Sequence, residues 1–390
     1  MSENQVVVVG AGPAGLSNAL ALKDARVQAV VVDQAEQVAA SWRARYDRLR
    51  LNTCRPLSHL PGRRFPKGTP MFPTRDQVVE HLARHASAER IELRLCTAVH
   101  RIERDDDVWA VHTSAGELRA PQMVIATGHQ KMPLIPDWVG RERFEGEVIH
   151  SYDYRNAEPY PGKRVLVVGP GCSGMEIAFD VTEGGASKVW LSARTPPNIV
   201  VREGPGGIPG DMLGVTLLHF PPRFGDVLTR FGRRRDLGDL TAYGLPVPEE
   251  GVFSRLRRTG LAPAIVDKEV IEAIKAGRIE VVRGVESLDA IGVQLADSAR
   301  VEPDAIICAT GYRPGLEALV GHLGVLDERG MPRAVGETPA AAGLRFAGYV
   351  PRPGQLGYMS KEARRVAKAI KHELRSTGSR PERQATVAAA

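Results

Sequence analysis

The sequence predicts an α/β fold built from two Rossmann-like domains, the second inserted into the first. Two glycine clusters carry this prediction, at residues 10–15 and 169–174. Each follows a short apolar run and precedes apolar residues at helical spacing, which is the order of a strand, a tight turn and a helix. The clusters lie 159 residues apart, so each has room for its own domain.

The first cluster matches the pattern G-x-G-x-x-G. Its first glycine permits a tight turn, its second lets a pyrophosphate approach the backbone, and its third lets the helix pack closely on the strand. The helix start then offers free N–H groups to the anion. The strand at 30–32 ends at Asp33, where a carboxylate can accept hydrogen bonds from a ribose. A dinucleotide site is therefore predicted rather than a plain helix–strand turn, with the residues Gly10, Gly12, Pro13, Ala14, Gly15, Asp33 and Gln34.

The second cluster is followed by a strand that ends without an acid. Arg194 and Thr195 stand there instead, and an arginine attracts the 2′-phosphate that a carboxylate would repel. This predicts NADPH rather than NADH, the alternative being that Arg194 is a solvated surface residue. Because NADPH donates a hydride, the first site should hold an acceptor, and FAD is the obvious candidate. The predicted NADPH residues are Gly169, Gly171, Cys172, Ser173, Gly174, Ser192, Arg194 and Thr195.

The remaining segments suggest how the two domains are arranged. Two further strands, within 123–129 and 304–312, end in the same Ala-Thr-Gly sequence. We expect a discontinuous FAD domain at 1–157 and 310–376, an NADPH domain at 158–309, and an active site in the cleft between them. The Gly-, Pro- and Arg-rich segment 196–263 predicts an insertion or lid over that cleft. A closing helix at 361–374 and a disordered tail at 377–390 complete the prediction.

Composition narrows the class of protein. The net charge of +6 comes largely from scattered arginine clusters, so anionic cofactors explain it and nucleic acid is not predicted as a partner. No apolar window is long enough for a membrane helix, and no secretory signal opens the chain. The four cysteines form no C-x-x-C, so neither a metal site nor a redox dithiol is predicted. We expect reduced thiols in a cytoplasmic protein; nothing indicates the oligomeric state.

A fingerprint between the two glycine clusters resembles a known family. Residues 144–155 fit F-x-G-x-x-x-H-x-x-x-Y-R, and 309–312 read A-T-G-Y. Both resemble the flavin-containing monooxygenases, which belong to the class B flavoprotein monooxygenases; the resemblance covers about residues 5–375. Segments 198–203, 208–214 and 274–279 resemble the plant YUCCA-type branch, whereas 194–196 is more similar to the related Baeyer–Villiger enzymes. Ala39 and Ala40 depart from a Gly-Gly pair that is frequent in the family.

The resemblance implies a reaction with NADPH, O2 and a small organic substrate. NADPH reduces FAD, which forms a C4a-(hydro)peroxyflavin that bound NADP+ shields from water. N- or S-oxygenation, Baeyer–Villiger insertion and oxidative decarboxylation of a 2-oxo acid such as indole-3-pyruvate all stay open. The alternatives are an NADPH oxidase that releases hydrogen peroxide, a flavin-dependent disulfide reductase, which would need a dithiol, and a flavin sensor that consumes no NADPH.

The resemblance also implies roles for single residues. Asn52 should face the isoalloxazine with a neutral amide that donates and accepts hydrogen bonds; the alternative is a loop asparagine that caps a turn. His150 is expected to link the two domains structurally, with Phe144 and Tyr154 anchoring that link in apolar surface. The other residues expected near FAD are Trp42, Arg43, Thr127, Gly128, Thr310, Gly311, Tyr312 and Gln355.

Overall fold

Two five-stranded parallel sheets organise the chain in the computed structural model, which describes residues 5–260, 262–350 and 354–378. The strands are β1 (Val6–Val9), β2 (Ala29–Val32), β3 (Glu92–Arg94), β4 (Val99–Asp105), β5 (Val108–Thr113), β6 (Gly116–Ala120), β7 (Gln122–Ile125), β8 (Met132–Pro133), β9 (Glu147–His150), β10 (Arg164–Val168), β11 (Lys188–Ser192), β12 (Ile199–Val201), β13 (Ala264–Val266), β14 (Glu280–Val282), β15 (Val285–Leu288), β16 (Val293–Leu295), β17 (Arg300–Val301), β18 (Ala305–Cys308), β19 (Tyr312–Arg313) and β20 (Leu344–Phe346). The helices are α1 (Pro13–Asp24), α2 (Ala40–Arg43), α3 (Arg75–Ala88), α4 (Cys172–Glu183), α5 (Gly210–Leu217), α6 (Pro222–Leu237), α7 (Val252–Thr259), α8 (Lys268–Lys275), α9 (Glu317–Val320) and α10 (Gln355–Gly378).

The first sheet has the strand order β20-β7-β1-β2-β3, and every pair in it is parallel. The four valines of β1 are buried, as expected for a central strand covered on both faces. Val6 and Val8 pack with α1, α3 and α10 on one face. Val7 and Val9 pack on the other face with the antiparallel sheet β4-β5-β6 and with α9.

The second sheet repeats this plan in the order β14-β11-β10-β18-β9, again fully parallel. Val165 and Val167 of β10 pack with α4 and α8. Leu166 and Val168 pack on the opposite face with the antiparallel strands β15–β17. The prediction of two Rossmann-like α/β units is therefore confirmed.

The connections between the sheets run side by side. β8 pairs antiparallel with β19, so the chain leaving the first sheet and the chain returning to it touch. β9 lies inside the predicted range 1–157 yet pairs with β18, which places it in the second sheet. The division into 1–157 with 310–376 and 158–309 stays a prediction, with β9 packed on the second unit.

The segment 196–263 is mainly helical, and two paired strands lie at its ends. β12 pairs in parallel with β13, and α5, α6 and α7 lie between them in sequence. Its prolines and glycines mark helix ends, because Pro222 stands in the first turn of α6 and Gly238 follows that helix with a φ of +71°. Because these prolines and glycines interrupt the helical spacing of apolar residues, the sequence did not predict the helices.

The closing helix is longer than predicted. α10 begins at Gln355 and ends at Gly378, with Ala363, Val366, Ala367 and Ile370 packed in the first core. Of the predicted tail at 377–390, residues 379–390 lie outside the described residues. Within the described part of the chain, no helix is both long and apolar enough to cross a membrane.

Candidate active site

The first glycine turn is tight at its ends and open in the middle. Gly10 has a φ of +108°, and a Cβ added there would lie 2.6 Å from the carbonyl oxygen of Ala126. A Cβ on Gly15 would lie 1.7 Å from the carbonyl oxygen of Gly10. A Cβ on Gly12 would meet no atom within 4 Å. The turn therefore requires glycine at both ends for packing and leaves space above its centre.

The second turn has the same geometry. Gly169 has a φ of +112°, and its added Cβ would lie 2.5 Å from the carbonyl oxygen of Ala309. For Gly174 the distance to the carbonyl oxygen of Gly169 would be 1.8 Å, and for Gly171 no atom lies within 4 Å. Two equivalent cradles thus stand at the carboxyl ends of β1 and β10, where ligands bind in open α/β sheets.

The helices that follow both turns begin without a protein cap. No side chain hydrogen-bonds the start of α1 or α4, and neither first turn contains an acidic residue. Their first N–H groups and positive dipole ends are therefore available to an anion. A pyrophosphate fits both positions, and each could hold one dinucleotide.

The strands next to the two cradles end in residues of opposite charge. The carboxylate of Asp33 accepts the Ala11 N–H at 2.6 Å and the Ala35 N–H at 2.9 Å, which holds it beside the first turn. After β11, the Ser192 hydroxyl is buried and donates to the Arg283 carbonyl oxygen at 2.8 Å. Arg194 and Thr195 follow on the exposed surface. The second turn thus has a cation where the first has an acid.

One cavity of about 1580 Å³ extends from the first turn, at Gly10 and Gly12, to Cys172 and Ser173 at the start of α4. Pockets for a single drug-sized molecule measure about 300–1,000 Å³, so this volume suits more than one ligand. The predicted residues that line it are Gly10, Gly12, Pro13, Ala14, Asp33, Gln34, Trp42, Asn52, Thr127, Gly128, Cys172, Ser173, Thr310, Gly311, Tyr312 and Gln355. The predicted residues that do not line it are Gly15, Arg43, Gly169, Gly171, Gly174, Ser192, Arg194 and Thr195.

Arg45, rather than Arg43, extends into the cavity beside Trp42. The Arg43 Nε turns back and donates to the Val38 carbonyl oxygen at 3.2 Å. Arg45 lines the cavity and donates through Nη1 to the Tyr312 hydroxyl at 2.5 Å, with its guanidinium carbon 5.0 Å from the ring centroid. Tyr312 is thereby fixed at the wall of the cavity, and Arg45 is a residue that the sequence did not indicate.

The turn before Trp42 has a strained backbone. Ala39 adopts φ 60° and ψ 27°, the left-handed conformation that glycine tolerates and alanine does not favour. The frequent glycine pair of the resembled family would fit this position, and the alanine costs about 1–2 kcal/mol there. The turn therefore keeps its shape despite the substitution at Ala39.

Asn52 is held by a buried charged network that links the two units. Arg202 donates through Nη2 to the Asn52 Oδ1 at 2.9 Å and also to Glu176. Its Nη1 donates to the Asp267 Oδ2 at 2.5 Å, and the Tyr46 hydroxyl donates to the Glu176 Oε2 at 2.6 Å. Because the Asn52 oxygen faces Arg202, its amide NH2 is the end left for the cavity.

The network keeps its charges paired although it is buried. The Arg202 side chain is 1% exposed and that of Glu176 is 5% exposed. Burial alone would lower the pKa of Arg202, but Glu176 and Asp267 raise that pKa above its ordinary value. Arg202 is therefore a permanent cation whose two carboxylate partners compensate its desolvation.

The fingerprint at 144–155 forms the hinge between the units. The His150 Nε2 lies 3.0 Å from the Gly311 carbonyl oxygen, and its Nδ1 accepts the Tyr152 N–H at 3.0 Å. This arrangement requires neutral histidine, and burial lowers the pKa of His150 accordingly. Arg155 donates to the carbonyl oxygens of Arg43 and Arg45.

Both aromatic residues of the fingerprint are in contact with the second unit. Tyr154 is buried and donates its hydroxyl to the Asp180 Oδ2 at 2.7 Å, while Phe144 packs on the core around β10 and β18. These contacts agree with a structural link. His150 is itself buried and does not line the cavity.

Known structures share this architecture. A flavin-containing monooxygenase from Stenotrophomonas maltophilia matches with a TM-score of 0.74 and 21% identity, covering 96% of this chain and 100% of that chain. OTEMO in complex with FAD and NADP matches with a TM-score of 0.73 and 17% identity, covering 96% and 85%. The bacillithiol disulfide reductase Bdr from Bacillus cereus matches with a TM-score of 0.69 and 16% identity, covering 95% and 100%. At these identities the likeness shows the fold.

Sequence comparison identifies the family. A family model described as pyridine nucleotide-disulphide oxidoreductase matches residues 7–199. Indole-3-pyruvate monooxygenase YUCCA1 of Oryza sativa subsp. japonica is 33% identical over 382 residues, 93% of this chain and 90% of that protein. The probable indole-3-pyruvate monooxygenase YUCCA8 of Arabidopsis thaliana is 31% identical over 381 residues, 94% and 88%. The chain therefore belongs to the flavin-containing monooxygenase family, alongside the YUCCA enzymes, and is an oxidoreductase.

Proposed function

We propose that this chain is an NADPH- and O2-dependent flavin monooxygenase that oxygenates a small organic substrate. The observation that carries the proposal is a cavity of about 1580 Å³ that is lined by Gly10 and Gly12 of the first turn and by Cys172 and Ser173 at the start of α4. Two dinucleotides in one cavity can bring nicotinamide and flavin together, which a hydride transfer requires. The monooxygenase names of its relatives support the same reaction class.

FAD would occupy the first cradle and NADPH the second. The open centre of each turn would accept a pyrophosphate, Asp33 the ribose of FAD, and Arg194 the 2′-phosphate of NADPH. The other predicted residues that line the cavity would contact one cofactor or the other. Bound FAD supplies the oxygen chemistry, for which a C4a-(hydro)peroxyflavin is the proposed oxygenating species.

The chain's own contribution is to orient these groups and to exclude water. Apolar side chains from the segment 196–263 cover one side of the cavity, among them the buried Leu217, Val252 and Phe253. A dry wall of this kind protects an oxygenated flavin from hydrolysis. Asn52 would present its NH2 to the flavin as a neutral hydrogen-bond donor, because Arg202 holds the amide oxygen.

We expect Asn52→Ala to bind FAD as tightly as the wild type and to lose coupling between NADPH consumption and product. Removal of one donor aimed at developing charge costs about 100- to 1,000-fold in rate. Product and hydrogen peroxide formed per NADPH measure the coupling. Coupling equal to that of the wild type would remove Asn52 from the reaction, and loss of FAD would assign it a structural role instead.

We expect Arg194→Ala to raise the KM for NADPH about tenfold or more while the KM for NADH stays close to its wild-type value. The proposed partner of the exposed guanidinium is the 2′-phosphate, which NADH lacks. Arg101→Ala, which removes an exposed arginine from the first unit, is the matched control. An equal change in both KM values would place Arg194 outside the NADPH site.

Oxidative decarboxylation of a 2-oxo acid is the substrate chemistry favoured by the relatives, which are named indole-3-pyruvate monooxygenases. The balanced reaction converts the 2-oxo acid, O2, NADPH and a proton into the acid one carbon shorter, CO2, NADP+ and water. N- or S-oxygenation and Baeyer–Villiger insertion are the other candidate reactions.

Isotopically labelled oxygen tests this proposal directly. The holoenzyme is incubated with NADPH, labelled O2 and, in turn, indole-3-pyruvate, an amine, a sulfide and a ketone. We expect one label atom in the product and one in water, with substrate-dependent NADPH consumption. Unlabelled products, with all oxygen recovered as hydrogen peroxide, would favour the NADPH oxidase.

The family model and one structural neighbour suggest a disulfide reductase as an alternative function, and the cysteines argue against it. A reductase of that kind needs two thiols near the flavin, whereas all four cysteines are free and Cys172 lines the cavity without a cysteine partner among the described lining residues. Burial raises the pKa of Cys172, so its reactive thiolate is disfavoured. Free thiols also support action in the reducing cytoplasm.

A further inference from the structure

The segment 196–263 exposes an apolar surface whose phenylalanines do not line the cavity. Among its members, Ile208 is 63% exposed, Val227 68% and Phe231 66%. Monomeric proteins seldom leave so many large apolar side chains together in water. We call this surface the α5–α6 face; its residues are Ile208, Met212, Leu213, Phe220, Phe224, Val227, Leu228 and Phe231.

The geometry of α6 makes this face a continuous outward stripe. Phe224, Val227, Leu228 and Phe231 stand at positions i, i+3, i+4 and i+7 of the helix, so they share one side. The opposite side fastens the helix to the protein, since Arg233 donates to the Leu245 carbonyl oxygen at 2.8 Å and Leu237 is buried in the core of the second unit. The apolar side is therefore directed away from the core by the packing of the helix.

Positive charge accompanies the apolar stripe. Arg223, Arg230 and Arg234 of α6 are exposed, and the charge of Arg234 contributes to the lowered pKa of Asp239, which follows the helix. Over 208–235, all of which the structure describes, no acidic side chain is exposed: Asp211 is buried, and Asp226 accepts the Phe253 N–H at 2.7 Å. A helix with an apolar stripe flanked by arginines is suited to an anionic bilayer surface.

We propose that the α5–α6 face docks the enzyme on the surface of an anionic phospholipid membrane, with the phenylalanines in the acyl boundary and the arginines on lipid phosphates. Ile208, Leu213 and Leu228 belong to the face and also line the cavity, so the cavity opens where the membrane would lie. An apolar substrate dissolved in the bilayer would reach the flavin side directly.

A second copy of the chain suits the face less well than a membrane. Two-fold pairing would place the three exposed arginines of both copies in one interface, which carries no exposed acidic side chain over 208–235 to compensate them. Like charges in one interface repel each other, whereas lipid phosphates neutralise them. The charge of the face therefore favours an anionic partner over itself.

Vesicle flotation of the flavin-loaded full chain tests the proposal. We expect flotation with vesicles that contain phosphatidylglycerol, and weaker flotation with pure phosphatidylcholine or at raised salt. The double variant Phe224→Asp/Phe231→Asp should bind at least about tenfold more weakly, because each phenylalanine loses its burial in lipid. Val139→Asp/Ile291→Asp changes two exposed apolar residues elsewhere and should float like the wild type.

A second variant tests the proposal independently if the two aspartates unfold α6. Arg223→Glu/Arg234→Glu keeps the apolar stripe and should abolish the preference for phosphatidylglycerol while flavin content is retained. Wild type that does not float, or face variants that float as it does, would overturn the proposal. A wild-type dimer that stays off the vesicles, and becomes monomeric in Phe224→Asp/Phe231→Asp, would overturn it in favour of self-association.

Discussion

Protein with the substitution Gly15→Ala is expected to purify without flavin and with a large loss of stability. The added Cβ would lie 1.7 Å from the carbonyl oxygen of Gly10, so the backbone of the turn must move. Both groups belong to the tightly packed contact between β1 and α1, where overpacking costs at least about 3 kcal/mol. Chemical denaturation and the flavin absorbance of the purified protein measure the two effects.

Gly12→Ala is the matched control for this prediction. Its Cβ meets no protein atom within 4 Å, so the free energy of unfolding of the flavin-free protein should stay close to the wild-type value. Flavin affinity should still fall, because the methyl group occupies the approach of the pyrophosphate. Gly171→Ala should spare flavin and raise the KM for NADPH instead. Normal flavin binding in both Gly12→Ala and Gly15→Ala would contradict the assignment of the first turn.

Arg202→Met is expected to lower the free energy of unfolding by about 3–5 kcal/mol, because it leaves the buried Glu176 without its cation, whereas Asp267 keeps its ion pair with Arg50. The same change frees the amide of Asn52, so NADPH consumption should become uncoupled from product. Denaturant unfolding gives the first quantity, and product formed per NADPH gives the second.

Two further variants distinguish the effect of the Arg202 charge from the effect of its guanidinium geometry. Arg202→Lys keeps the charge but lacks the planar fork that reaches three acceptors, so it should recover part of the stability and little of the coupling. Arg300→Met removes the arginine of an exposed pair with Asp289 and should change neither quantity. Full coupling in Arg202→Met would show that Asn52 does not depend on Arg202.

The sequence predicted the parts of the fold that depend on local chemistry. A strand, a tight turn and a helix are the structure expected for the valine run at 6–9, the glycines at 10, 12 and 15 and the apolar residues after them. The protein contains this unit twice. The antiparallel strands β4–β6 went unpredicted because charged residues interrupt their apolar alternation, as in 99–105. The helices of 196–263 were hidden by the prolines and glycines at their ends.

The missing part of the site depends on contacts between distant residues. Tyr46, Glu176, Arg202 and Asp267 are single polar residues without diagnostic spacing. The folding of the second unit brings Glu176, Arg202 and Asp267 together, and the packing of the two units adds Tyr46. Arg202 does lie in the stretch 198–203 that contributed to the family resemblance, which is the one sequence signal for it. A charged residue directly after the apolar run 199–201 is a pattern that could direct attention to it.

Reduction and reoxidation of the bound flavin test the central claim most directly. The holoenzyme is reduced by one equivalent of NADPH without oxygen and then mixed rapidly with O2 while the flavin spectrum is followed. The proposed function predicts complete reduction by NADPH, followed by an oxygenated flavin spectrum that persists before oxidised flavin returns. Failure of NADPH to reduce the flavin, or immediate return of oxidised flavin with a full yield of hydrogen peroxide, would contradict it.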